Sequence, residues 1–440
     1  MRSVQDENEK AKPFYLIVPL TPTSDEPSTG RSQTVARTIL SHCPKARLSA
    51  LQLGVTLTFF LTFEASQTYL WDGSAPFFAT TILLLCSYEF FWLAHHSTRA
   101  LTAELDPDQP SDGSVRCGQV FADLFFGGRL HGLAATAAAF AGGVYYICSV
   151  YGIQALTSAS GIEYHRTITA LGTFAGVGSA YLSVFCPTWA AGLSLLCFGS
   201  FFVFVSIDAI AFQQSVLTHQ FVIDSGELYA QGGSLVIALM LFRPVLPLVS
   251  LVLICHHLVG FMFVFGCCSA ISGYIEHLDQ DAAVNLLLGV LWVSIGASLT
   301  QFMWHRLVEK ARQSWYGNVR LVPCLVDDSP LLYEVGLSSF GGMLGMLFAS
   351  FYADIVGSWT AKLVYSGIAV ALANFGRPFI AVIRTVGGDA NVDDPHGLFG
   401  THGGLLDGLQ LFLPLIMAFS PYYRVHIGNH EVTPPGAVPA

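Results

Sequence analysis

Between residues 384 and 410 the chain gathers the side chains best suited to chemistry on a charged ligand: Arg384, Asp389, Asn391, Asp393, Asp394, His396, His402 and Asp407, interleaved with glycines that include Gly403, Gly404 and Gly408. Carboxylates beside a helix N-terminus suit a divalent cation and a phosphate. Glycines let the backbone come close to a ligand. The run Asp389-x-Asn391-x-Asp393 imitates the opening of a calcium loop but then departs from it, with Asp394 where glycine is required and Gly400 where glutamate is required. The competing reading of the same stretch is a Gly/Asp-rich turn between two helices. Glu64, Glu89, Asp208, Arg243, His256, His257, Asp354 and Arg377 also lie within or beside apolar runs. Any one of them could sit at a helix end and snorkel. As a set they predict a polar cavity, because charge at membrane depth is costly. Adjacent His256 and His257 point to different faces of a helix, which argues against a joint metal role.

These residues need a frame, and the composition says which. Of 440 residues, 53% are hydrophobic and 11% charged, against about 25% charged in an ordinary soluble domain. With a mean hydropathy of +0.55, the expected fold is all-α: a polytopic integral membrane protein. Spanning helices need about 20 mostly apolar residues. Candidates centre on 51–70, 76–95, 133–155, 167–186, 189–212, 234–254, 255–273, 284–304, 335–357, 359–383 and 404–420, which gives nine to eleven helices depending on how 234–273 and 335–383 are cut. Pro244 and Pro247 should break or kink the first of these runs. Residues 1–47 read as a disordered polar tail, 48–425 as the membrane domain and 426–440 as a C-terminal tail. The tail's one apolar run, Phe14 to Leu20, is short and holds Pro19, so the first span is expected to act as its own insertion signal. Arg306, Lys310, Arg312 and Arg320, with Lys45 and Arg47, lean toward the cytosolic side. A net charge of −10 excludes nucleic acid as a partner. Ten cysteines without a CxxC pair indicate neither a zinc site nor a disulfide framework. No internal repeat supports an inverted-repeat transporter.

Three places in the chain resemble the eukaryotic phosphatidate cytidylyltransferases, the CDP-diacylglycerol synthases. Asp393-Asp394-Pro395-His396-Gly397-Leu398-Phe399-Gly400-Thr401-His402-Gly403-Gly404-Leu405-Leu406-Asp407-Gly408-Leu409-Gln410 aligns without a gap with a C-terminal signature that looks like K-D-x-G-x-x-x-P-G-H-G-G-x-x-D-R-x-D. It keeps the first two aspartates, as Asp394 and Asp407, and the His-Gly-Gly. Just upstream, Phe375-Gly376-Arg377-Pro378-Phe379 through Arg384 is similar to the family's F-G-G-F-F-A-S-G-F-K segment, with Arg384 standing for its lysine. The helix around Ile254-Cys255-His256-His257 resembles V-I-C-N-D-I, and Tyr88-Glu89-Phe90 resembles a Glu-Phe step early in the membrane region.

The resemblance implies a reaction of CTP with phosphatidic acid, giving CDP-diacylglycerol and pyrophosphate. It assigns catalytic roles to Asp394, Asp407 and His402, and Mg2+ to Asp394 and Asp407. It places Arg384, Arg377, Gly403 and Gly404 against substrate. It also implies the endoplasmic reticulum, with the mitochondrial inner membrane as the alternative, and a homodimer or membrane complex as the setting. Several charges of the family pattern are replaced here: Asn-Asp by His256-His257, Lys by Asp393, Arg by Gly408 and the last Asp by Gln410. The K-K-T-W-E-G run has no counterpart near 277–285. Two readings therefore stand side by side: an active cytidylyltransferase, and a catalytically degenerate relative serving as a structural or lipid-binding subunit.

Overall fold

The computed structural model describes residues 44–69, 74–105, 131–158, 166–213, 225–241, 247–277, 280–311, 332–355, 357–386 and 404–427. The chain divides into residues 1–42 and residues 43–440, and every described residue belongs to the second unit. The expected N-terminal tail lies outside the described residues up to Pro44, where the first helix already begins.

The described elements are all helical: α1 Pro44–Tyr69, α2 Ser74–Leu105, α3 His131–Ser158, α4 Arg166–Phe185, α5 Trp189–Gln213, α6 Ser225–Leu241, α7 Pro247–Gly260, α8 Gly266–His277, α9 Gln280–Ala311, α10 Leu332–Tyr352, α11 Trp359–Ala373, α12 Gly376–Val386, α13 Leu405–Leu409 and α14 Phe412–Ile427. A π-helical turn, Phe261–Phe265, joins α7 to α8. A helix satisfies its own backbone polar groups, which an apolar solvent requires. Among the described residues, seven stretches are long and apolar enough to cross a membrane, and four shorter apolar helices accompany them. The chain is an all-α polytopic integral membrane protein.

Two boundaries differ from the expected ones. The run 234–273 does not part near 254; α6 ends at Leu241, and α7, the π-turn and α8 form one continuous rod from Pro247 to His277. Pro247 opens that rod, where its missing N–H deprives the helix of nothing. The run 359–383 is broken by a turn at Asn374 and Phe375, after which α12 starts afresh with Pro378 in its first turn. Between α10 and α11, Gly357 has φ 116, a left-handed conformation that glycine adopts without steric cost. Ser358 then caps α11 by accepting the Ala361 N–H at 3.3 Å.

α2 is the central post. Within its membrane window 78% is buried inside the bundle, against 39% for α10, which therefore lies toward the outside. α2 packs on α4, α5, α7, α8, α12 and α13 through fully buried side chains such as Phe90 and Phe91. α9 and α10 meet through glycines: a Cβ on Gly296 would strike the Gly341 carbonyl, and one on Gly345 would strike the Trp292 carbonyl. Gly341-x-x-x-Gly345 thus allows close backbone approach in the manner of small-residue membrane interfaces. Gly345→Ala is expected to destabilise the protein by about 1–3 kcal/mol, because unyielding backbone meets the added methyl. Gly336→Ala, on the same helix with nothing within 4 Å of the added carbon, is expected to stabilise by about 0.4–1 kcal/mol. Thermal unfolding of the two variants in micelles checks the opposite signs.

Candidate functional site

α13 is a single short turn, and its first residue explains the site. The N-cap position is Gly404, in an extended conformation (φ −106, ψ 172). Glycine has no side chain to accept the orphan N–H groups that open a helix. Glu89 of α2 does so from across the bundle. Its Oε1 accepts the Leu405 N–H at 2.8 Å and its Oε2 the Leu406 N–H at 2.6 Å. A Cβ on residue 404 would fall into that carboxylate, so the glycine and the remote glutamate require each other.

Asp407, at the third position of the turn, completes the cap by accepting the Gly404 N–H at 3.0 Å. The same carboxylate receives Arg384 of α12, whose Nη2 lies 2.7 Å from Oδ1 and 2.8 Å from Oδ2. The Asp407 side chain is 3% exposed and that of Arg384 19%, so the charge-assisted contact is shielded from solvent on its acidic side. Gln52 of α1 donates to the Asp407 carbonyl at 3.5 Å and accepts from Arg377 Nη2. Four segments distant in sequence (α1, α2, α12 and α13) are thus tied into one clasp.

The clasp brings together Arg384, Asp407 and Gly404 directly, and Arg377 through Gln52. Asp394, His402 and Gly403 lie outside the described residues. Gln52 carries no local sequence signal, since its Arg377 partner is 325 positions away. Glu89 reads locally as a residue at a helix end, whereas its carboxylate serves the start of a different helix.

The other ionisable residues of the apolar runs settle elsewhere. Glu64 accepts the Tyr352 hydroxyl, and Asp354 is exposed. His256 meets Ser97 Oγ at 2.9 Å and the Val252 carbonyl at 2.9 Å, while His257 stacks on Phe91 with ring centroids 5.1 Å apart. Each histidine turns its Nδ1 onto its own helix, so the pair does not form a joint ligand set. Arg243 lies outside the described residues.

A magnesium ion requires free oxygen ligands. Both Asp407 oxygens are engaged by Arg384, one of them also by the Gly404 N–H, and both Glu89 oxygens by backbone amides. Among the described residues no group of three or more His, Cys, Asp or Glu side chains could hold a metal ion. The described donors alone therefore do not fit the ion.

No family model and no curated protein matches this chain.

Proposed function

We propose that this chain is a divergent cytidylyltransferase-like membrane protein that joins CTP to phosphatidic acid, releasing pyrophosphate and leaving CDP-diacylglycerol in the bilayer. One observation carries the reading: Glu89, from the early place of the family resemblance, meets Arg384, Gly404 and Asp407, from the late one, in one clasp. In such a transfer a lipid phosphate oxygen attacks the α-phosphorus of the nucleotide in line with the departing pyrophosphate. The protein's contribution is positioning and neutralisation of developing negative charge. Arg384, held by Asp407 yet still 19% exposed, is the cation placed to meet a phosphate. The buried Arg377 sets the Gln52–Asp407 side of the clasp. Asp394, His402 and Gly403 complete the proposed set. Magnesium at Asp394 and Asp407 belongs to the same proposal, and Asp407 would join it only by loosening its hold on Arg384. The endoplasmic reticulum is the proposed membrane, with the mitochondrial inner membrane second.

A second reading, a non-catalytic lipid-binding or structural subunit, is favoured by a specific feature of the clasp. All four oxygens of Glu89 and Asp407 already hold the fold together. Labelled CTP supplied with magnesium and phosphatidic acid vesicles to the purified chain separates the two. Label appearing in CDP-diacylglycerol with stoichiometric pyrophosphate supports transfer. Retention of phosphatidic acid without turnover supports the subunit.

A further inference from the structure

The Gly296–Gly341 contact holds α9 and α10 close at mid-length. Toward the C-terminal end of α9, polar side chains line the same interface. Gln301 and His305 lie four residues apart on α9, Glu334 and Ser338 four apart on α10, and Asn374 and Arg377 at the α11–α12 joint. All except His305 are less than a tenth exposed. Gln301 Nε2 donates to Asn374 Oδ1 at 3.1 Å, and Asn374 Nδ2 donates to Ser338 Oγ at 2.8 Å.

This network leaves two atoms without partners: Gln301 Oε1, an acceptor, and Arg377 Nε, a donor on a guanidinium 7% exposed. A buried serine hydroxyl can turn back onto its own helix, whereas these two groups have no such outlet. Arg377 makes its one hydrogen bond among the described residues to Gln52 Oε1, although guanidinium carries five donors. His305 Nδ1 and Glu334 Oε1 stand 3.9 Å apart at the same end of the interface.

The occupant follows from charge. An anion placed to satisfy Arg377 would enter an interface that already buries the Glu334 carboxylate. A cation placed on Gln301 Oε1 would face Arg377. Water donates to one and accepts from the other, and internal waters characteristically make about three such bonds to stranded buried groups. We propose that α9, α10 and the α11–α12 joint line a hydrated chamber, a chain of waters that opens to solvent beside the partly exposed His305 and passes Glu334 to reach Arg377 behind the clasp. The chamber makes Glu334 the water-separated counter-ion of Arg377. It exists whether or not the chain transfers cytidylyl groups.

Ser338→Cys and Gln301→Cys, each in the full chain in lipid nanodiscs, test the chamber by reaction with a small ammonium-bearing methanethiosulfonate, read by peptide mass spectrometry. The reference is Ser272→Cys, equally buried at 0% exposure but hydrogen-bonded to Ser206 in a different interface. A thiol beside water ionises and one in an apolar contact does not, so modification at 338 and 301 should run at least roughly tenfold faster than at 272. If Gln301→Cys fails to fold, Ser338→Cys alone decides. A folded variant at either position that reacts no faster than the reference overturns the proposal.

Discussion

Glu89→Ala is expected to lower unfolding free energy by about 2–6 kcal/mol, from two buried backbone amides left without acceptors at about 1–3 kcal/mol each. The amides are those of Leu405 and Leu406, held at 2.8 Å and 2.6 Å. Hydrogen exchange at these two positions should accelerate more than in α14, because the loss is local to the start of α13. Glu89→Gln should cost less, since one oxygen still accepts while the new NH2 faces a donor. The geometry also specifies a reversal of sign. In the wild-type background Gly404→Asp is destabilising, because the new side chain meets the Glu89 carboxylate. In the Glu89→Ala background the same substitution supplies an ordinary N-cap oxygen and should recover about 1 kcal/mol. A double-mutant cycle on thermal unfolding reads that reversal directly. Additive effects would mean that Glu89 is not the cap.

The second large effect concerns the Arg384–Asp407 pair. Removing one member of a buried pair costs about 3–5 kcal/mol, because the other charge is left uncompensated. The two members are not buried alike. Asp407 is 3% exposed and Arg384 19%, so Arg384→Met strands a carboxylate in the interior and should approach the full cost. Asp407→Asn strands a guanidinium with a route to water and should cost less. Replacing both by apolar residues removes the desolvated charges together. Arg384→Met with Asp407→Leu should therefore stand within about 1–2 kcal/mol of the wild type, the remainder being the lost acceptor for the Gly404 N–H. Thermal unfolding of the three variants gives the ranking. If Arg384→Met proves as stable as wild type, the pair does not exist in the membrane.

The fold was legible because membrane solvation imposes one rule on every segment. The candidate spans at 189–212 and 284–304 fall on α5 and α9, whose apolar runs have polar ends. Prolines were legible in part: the 234–273 run is interrupted before Pro247, as expected, but Pro247 itself opens α7, where its missing N–H costs the helix nothing. For the site, charge scarcity pointed to 384–410, and of the residues singled out there Arg384, Asp407 and Gly404 come together. Gln52 and Glu334 escaped notice for different reasons. Gln52 is an uncharged polar residue inside an expected span, and its role depends on partners more than 300 positions away. Glu334 stands just before the expected start of a span at 335, where an acidic residue reads as a solvated helix end, yet it is only 4% exposed. Pairing across the bundle leaves no periodic trace in sequence, whereas burial of whole helices does.

The paired variant Arg384→Met/Asp407→Leu also gives the most direct test of the central claim, that the clasp works on substrate as well as holding the fold. Incorporation of labelled CTP into CDP-diacylglycerol should be compared between it and the wild-type chain, with folding of both confirmed by unfolding midpoint. The account predicts incorporation by the wild type and loss of at least about a hundredfold in the paired variant, the scale associated with removing one charge-stabilising contact. Wild-type protein that forms no CDP-diacylglycerol, or a paired variant that keeps its activity, would contradict it.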